Sequence, residues 1–311
     1  FDQPPDAGGR TARLFFGTAQ CLAGYGVARS PGEGTRVWDR LAAVRAAVAA
    51  GVGGFDTAAA YGPGERFLGL AARRVGGGRG ASARIGRVVT KISAAEAAHD
   101  PGGPAAGVRR LIEGARARLA PAAVDAVLIH DPAAFFAGPA EAIVQGLEDA
   151  RADGLCRAAG LSLYDGAEIE AMLRLWRPDL VQAPGNLADR RLFRSGTIDR
   201  LVDAGVEIHL RSLYLQGALF LAPDALPAHL APLRPLVEAL AGYDATTRIA
   251  VCLAPFLADR RIGGVVIGAR SHEETVQALA AARRALDAPP ALGDFSLEDE
   301  RVLNPALWPR P

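Results

Sequence analysis

Lysine is almost missing from this 311-residue chain: Lys91 stands alone, so 34 of the 35 basic residues are arginine. Arginine substitutes poorly where a compact ammonium with an adjustable pKa is needed, which singles out Lys91. Cysteine is scarce too. Cys21, Cys156 and Cys252 form an odd, scattered set without a C-x-x-C pair. They read as reduced, mostly buried small hydrophobes and point to a cytoplasmic protein. An excess of charge is also lacking: the formal net charge is +1, and arginines alternate with acids along helical faces. That excludes a field suited to nucleic acid. No apolar run reaches the length of a membrane span. Neither G-x-G-x-x-G nor a Walker A loop occurs. Residues 1–10 are polar and rich in proline and glycine. They do not read as a signal peptide and are expected to be a flexible segment ahead of one domain over 11–311.

What is present is alternation. Short apolar strands are predicted at 14–18, 52–57, 87–92, 124–130, 156–162, 180–183, 206–211 and 264–267. Helices are predicted at 35–50, 65–74, 104–119, 139–152, 165–175, 189–204, 231–242, 246–260 and 272–286, and Gly76 to Gly80 as a surface connector. Strands that each precede a helix imply an all-parallel sheet with helical crossovers. Eight repeats at this length favour a closed (β/α)8 TIM barrel; the doubly wound alternative needs the glycine fingerprint that is missing.

In such a barrel the strand C-termini face the active site. Asp56 ends the second strand, Tyr61 sits in the loop after it, Lys91 ends the third strand and His130 the fourth. Each has a plain reading alone: Asp56 as a cap or turn residue, Tyr61 as packing, His130 as a turn before Asp131-Pro132. Gathered at one mouth they make chemistry. A phenol titrates near ~10 in water, and a neighbouring ammonium lowers that value. A carboxylate keeps the ammonium charged and fixed. A neutral imidazole positions a carbonyl. The product is a general acid that protonates a carbonyl oxygen as its carbon accepts a hydride. Side chains carry no hydride, so a cofactor is required.

Over nearly its whole length the chain resembles the aldo-keto reductase family. The resemblance rests on Gly17-Thr-Ala-Gln20 with Tyr25-Gly26, and on Asp56-Thr-Ala-x-x-Tyr61-Gly-x-x-Glu65-x-x-Leu68-Gly69. Further along come Thr90-Lys91, Leu128-Ile-His130, Gly160-Leu-Ser162, Val181-Gln182, Asn186 and Gly268-Ala-Arg270-Ser271. It implies a catalytic tetrad of Asp56, Tyr61, Lys91 and His130, with Tyr61 as general acid. It also implies NADP or NAD bound extended across the barrel mouth without a Rossmann domain. Gly17, Thr18, Ala19 and Asp56 would touch this cofactor, and Ser162 and Gln182 would hold its carboxamide. Ser212, Leu213, Gln216 and Gly217 would hold the pyrophosphate. Gly268, Arg270, Ser271 and Glu274 would meet the adenosine end, where Arg270 argues for NADP and Glu274 for NAD, with the lean towards NADP.

The chain departs from the family in four places. Leu163 follows Ser162 where many relatives have Asn, and Ala278 replaces a common adenine-contacting Asn. Glu274 stands where relatives often have Arg or Gln. Arg211 stands where many relatives stack an aromatic ring on the nicotinamide, and it either stacks likewise or points toward phosphate or substrate. The pocket wall is expected from Tyr25 and Trp38 with Tyr61 and His130, joined by Phe135, Phe136, Tyr164, Tyr214 and the tail from Pro305 to Trp308. The resemblance implies a small-molecule aldehyde, ketone or sugar lactol as substrate, no nucleic-acid or membrane partner, and a monomer or small homo-oligomer. Two other readings remain open: a cofactor-binding regulatory subunit, and a barrel lyase or isomerase with Lys91 as a Schiff base.

Overall fold

The computed structural model describes residues 11–19, 37–75, 85–120, 122–288 and 292–309. The expected N-terminal segment 1–10, the connector Gly76 to Gly80, Cys21 and Tyr25 lie outside the described residues. The strands are β1 (Leu14–Gly17), β2 (Gly54–Asp56), β3 (Arg87–Ile92), β4 (Ala126–Ile129), β5 (Ala158–Ser162), β6 (Leu180–Pro184), β7 (Glu207–Arg211) and β8 (Gly264–Gly268). All pair in parallel and in chain order, and β1 joins β8 to close the barrel. Around them run α1 (Val37–Ala49), α2 (Gly64–Val75), α3 (Ala94–Ala98), α4 (Pro104–Leu119), α5 (Pro132–Ala137), α6 (Ala140–Ala152) and α7 (Gly166–Leu175). Then come α8 (Arg191–Arg194), α9 (Thr197–Asp203), α10 (Arg234–Ala241), α11 (Ala245–Ala258), α12 (His272–Asp287) and α13 (Glu300–Leu303). The fold is a single (β/α)8 barrel, as the strand and helix alternation implies.

Successive strand side chains point to opposite faces. One set, including Leu14, Phe16, Val88, Val127, Ile129 and Leu161, packs beneath the helices in the main core. The alternate set, Phe15, Val89, Ala126, Leu128, Ala158, Leu180 and Val266, forms its own cluster inside the barrel. Reading β3 and β7 by twos gives the interior in layers. Arg87 and Glu207 lie at the bottom, Val89 and His209 in the middle, Lys91 and Arg211 at the top. The bottom is an ion pair: Arg87 Nη1 and Nη2 donate to the two Glu207 oxygens at 2.7 and 2.9 Å. His209 Nε2 lies 2.9 Å from Glu207 Oε1. Burial opposes the Glu207 charge, but the His209 and Arg87 hydrogen bonds outweigh it and hold the carboxyl down at about 2. Space for this cluster comes from β8: a Cβ on Gly264 would lie 2.5 Å from His209 Cδ2.

Two differences from the sequence expectation have local causes. The helix over 189–204 is broken into α8 and α9 at Gly196, whose φ of 71° lies in the left-handed region. Helices α3 and α5 occupy the loops after β3 and β4; five or six residues are too few to display a 3.6-residue period. Between β7 and α10 the chain makes 3₁₀ turns at Leu215–Phe220, Pro223–Ala225 and Ala228–Leu233. With α10, α13 and the tail, these turns build a second apolar cluster that includes Leu219, Leu230, Leu236 and Trp308. Cys156 and Cys252 are buried free thiols, pushed up by burial to about 11 and about 12. Among the described residues no helix is long and apolar enough to cross a membrane.

Candidate active site

The polar top layer forms where β2, β3, β4 and β6 bring Asp56, Lys91, His130 and Gln182 to one end of the barrel. Lys91 is 1% exposed. Its Nζ donates to Asp56 Oδ1 at 2.6 Å and to the Thr57 carbonyl at 3.1 Å. Gln182 Nε2 donates to the other Asp56 oxygen at 2.8 Å, so the carboxylate is gripped from β3 and β6 together. His130 lies one residue beyond β4 and extends its pairing, its N–H donating to the Ile92 carbonyl at 2.9 Å. Asp131 does more than turn the chain: its carboxylate accepts from Ser93 Oγ and from the Ala94 and Ala95 N–H groups at the start of α3. Tyr61 sits in the tight β2–α2 connection, its N–H bonded to the Ala58 carbonyl and its carbonyl to the Gly64 N–H. The Tyr61 and His130 rings meet edge-on, 5.4 Å between centroids at 84°. Lys91 Nζ is 5.3 Å from the Tyr61 ring centroid.

The rest of the Asp56-to-Gly69 motif holds this arrangement in place. Glu65, 1% exposed, accepts from Thr90 Oγ1 at 2.6 Å and pairs through its other oxygen with Arg118 on α4. It thus pins the residue next to Lys91. Gly69 lets α2 approach the end of α4, where a Cβ would lie 2.7 Å from the Arg118 carbonyl oxygen.

The electrostatics correct one expectation. Tyr61 is not shifted toward phenolate. Burial pushes its hydroxyl above the usual tyrosine value, Asp56 adds to the rise, and Arg211 offsets only part of it. The physical reason is that Asp56 neutralises the Lys91 ammonium at contact distance, while the phenol loses water that would solvate its anion. Tyr61 is therefore a protonated donor at neutral pH. His130 is lowered to about 4 by burial, reinforced by the Lys91 charge. Its imidazole is neutral.

These residues open on a cleft of about 660 Å³. Gly17, Ala19, Asp56, Tyr61 and His130 line one side, with Ser162, Gln182 and Arg211 at the ends of β5, β6 and β7. Ser212, Leu213, Gln216 and Gly217 continue the lining, and Gly268, Arg270 and Glu274 close it after β8. Thr18 and Ser271 do not line it: Thr18 donates to the Thr57 hydroxyl at 2.7 Å, and Ser271 caps α12 by accepting from the Glu274 N–H. Lys91 stays beneath the floor on this side and borders a second hollow with Arg66 and Ser93.

Arg211 lies across the end of β5. Its guanidinium donates to Ser162 Oγ at 3.2 Å, Ser212 Oγ at 3.3 Å and the Leu163 carbonyl at 3.1 Å. It stacks 4.4 Å above the Tyr164 ring. Beyond it the backbone turns left-handed at Ser212, Leu215 and Gln216 (φ 63°, 44° and 53°) and at Gly217. Such conformers in non-glycine residues cost about 1–3 kcal/mol each and gather at ligand clamps. Buried Asn186 steadies the turn by donating to the Ser212 carbonyl. Arg270 and Glu274 do not act in opposition. Glu274 accepts from the Arg270 N–H, Nε and Nη2 at 2.7, 3.0 and 2.8 Å, so the pair neutralises itself.

Several expected wall residues lie elsewhere. Trp38 is 70% exposed on α1 and does not line the cleft. Phe135 is fully buried in the main core, with Phe136 packed on it. Trp308 is docked in the second cluster, its Nε1 donating to the Val302 carbonyl; Pro305 and Ala306 of the tail do reach the cleft. Tyr164 and Tyr214 line it as well. Phe220, Arg248 and Gln277 also line it, although sequence reasoning passed over them. Arg248 is the one charged residue of α11, but the helix expected over 246–260 also takes in Asp259 and Arg260, so it did not stand out in the sequence.

Residues 13–289 match the model of the Aldo/keto reductase family. No curated protein matches the chain. Among solved structures, the holo form of aldo-keto reductase AKR11C1 from Bacillus halodurans is similar with a TM-score of 0.67 at 18% identity, over 90% of this chain and 88% of that one. An aldo/keto reductase from Klebsiella pneumoniae, solved in complex with NADP and acetate, gives 0.62 at 21% identity over 87% and 85%. These likenesses show the shared barrel, and the family match carries the assignment: the chain belongs to the aldo/keto reductase family of NAD(P)H-dependent oxidoreductases.

Proposed function

We propose that this oxidoreductase interconverts a small carbonyl compound and its alcohol, with Tyr61 as general acid and base. The observation that carries the reading is the edge-on Tyr61–His130 pair above the buried Lys91–Asp56 pair, at the floor of one cleft. The substrate oxygen accepts hydrogen bonds from the Tyr61 hydroxyl and the neutral His130 ring. Tyr61 transfers its proton to that oxygen as the carbon is reduced. Lys91 stabilises the phenolate this leaves, more strongly than in the resting site because charge has appeared near it. The nicotinamide cofactor supplies the hydride.

The lining fits such a cofactor. The left-handed turn at Ser212 to Gly217 matches a backbone cradle for anions. Ser162 and Gln182 face the same cleft for the carboxamide, Gln182 already oriented by Asp56. We take NADP over NAD because Arg211, Arg248 and Arg270 outnumber the one lining carboxylate, Glu274, that Lys91 does not neutralise. The Schiff-base reading is not favoured: the Lys91 amine is held by Asp56 and Thr57 and buried.

The test is fluorescence titration with NADPH and NADH, then an absorbance screen over aldehydes, ketones and sugars. Tyr61→Phe should keep nucleotide binding and lose about 10²- to 10⁴-fold in turnover. Unchanged turnover would end the general-acid role.

A further inference from the structure

Resting on that reading, we propose that Arg248 is the anchor for a phosphate group of the dinucleotide, a part that Arg270 cannot play while Glu274 holds it. Four observations converge. Arg248 is the one charged side chain of α11, a helix that buries Val251, Cys252 and Leu253. It lines the cleft, yet its Nε is buried with no hydrogen-bond partner among the described residues. An unsatisfied donor of this kind is destabilising, and more so on a charged group. The acid best placed to pair with it, Asp244 one turn earlier, is engaged otherwise. It caps the helix by accepting from the Thr247 N–H and hydroxyl, and lies 3.8 Å from Arg284. The remaining cleft cations are occupied, Arg270 by Glu274 and Arg211 by Ser162 and Leu163.

The location suits a phosphate. Val251 and Cys252 of α11 pack in the same cluster as Leu215 and Leu219, with Tyr214 and Phe220 against it. Arg248 lines the cleft together with Gln216, Gly217 and Phe220 of the turn after β7. Gln277 and Ala278 of α12 line the same cleft. A planar guanidinium with several N–H donors matches phosphate oxygens. Two phosphates of the dinucleotide could meet it, the pyrophosphate or a ribose 2′-phosphate, and the nucleotides themselves separate them.

The experiment measures dissociation constants of NADPH and NADH by fluorescence for the wild type, Arg248→Gln and Arg248→Lys, with thermal melting of each protein with and without nucleotide. Arg248→Gln is expected to weaken binding roughly tenfold to a hundredfold. Arg248→Lys, which keeps the charge and loses the fork, should fall between. Loss confined to NADPH assigns the 2′-phosphate, and equal loss for both assigns the pyrophosphate. Without nucleotide Arg248→Gln should melt no lower than the wild type, because the orphaned donor is gone. Both variants binding like the wild type would overturn the proposal, as would a lower melting point with an unchanged nucleotide-induced gain. A wild type that binds neither nucleotide would instead sink the functional reading itself.

Discussion

Asp56→Asn tests the central claim of the site, that Asp56 masks the Lys91 charge from Tyr61. The substitution keeps shape and removes charge. Lys91 is 1% exposed and its Nζ lies 2.6 Å from the carboxylate. Breaking a buried pair from one side costs about 3–5 kcal/mol. The loss spreads to Gln182, because Lys91 and Gln182 both donate to Asp56 and an asparagine amide has one oxygen to offer two donors. For a chain of this size that is a fall in Tm on the order of 10 °C. The second consequence concerns Tyr61. Burial raises it most and the Asp56 charge next, so without Asp56 the phenol must titrate lower. Lys91 Nζ is 5.3 Å from the ring centroid. An unmasked charge at that range and an effective dielectric of ~20 is worth about 3 kcal/mol in favour of phenolate. Ultraviolet difference titration of Asp56→Asn against Asp56→Asn with Tyr61→Phe isolates this tyrosine from the other four. Should Tyr61 ionise at the same or higher pH in the variant, Asp56 is not the mask.

Three further outcomes are expected. The folded-state value of His130 is lowered to about 4 by burial and Lys91, against ~6.5 unfolded. The unfolded chain thus binds more protons in that window, and stability falls on acidification from about pH 6.5 to 4 by up to about 3 kcal/mol. Urea melts of His130→Gln should lose this dependence; an identical profile refutes it. Arg211 lowers both Tyr61 and His130, so Arg211→Gln should raise the His130 midpoint in an NMR titration, and no rise would place Arg211 too far away to matter. Glu207, at about 2, contributes stability present above its unfolded ~4.3 and lost as pH falls toward 2. Glu207→Gln should therefore lower Tm at pH 7, remove that acid loss and leave nucleotide affinity unchanged. A changed affinity would mean that the barrel bottom communicates with the cleft.

The barrel was legible because its signal repeats: each strand is a short apolar run and each crossover is long enough to show a helical period. Helices α3 and α5 carry no such redundancy. Lys91 was legible from composition alone, since one lysine among 34 arginines is informative wherever it falls. Arg248 was not, because the helix expected over 246–260 also holds Asp259 and Arg260, and an arginine on a solvated face would mean nothing. The direction of the Tyr61 shift was misread for a deeper reason. Spacing names the neighbours of a group, but neither its contact with water nor whether a neighbouring charge is already neutralised. Phe135 shows the same limit, since an aromatic after a strand packs inward or lines a pocket according to which way its short helix turns.

The Asp56-to-Gly69 stretch joins chemistry at one end to packing at the other. Asp56 and Tyr61 face the cleft. Glu65, four residues on, is fully occupied by Thr90 and Arg118, and Gly69 admits the α4 terminus. A carboxylate so buried needs both partners to offset its desolvation. Its burial therefore couples the position of α2, which starts just after Tyr61, to that of β3, which carries Lys91. The Tyr61 ring stands 5.3 Å from the ammonium because the helix behind it is tied to the strand beneath. A substitution at Glu65 should thus disturb the Tyr61–Lys91 geometry without touching either residue.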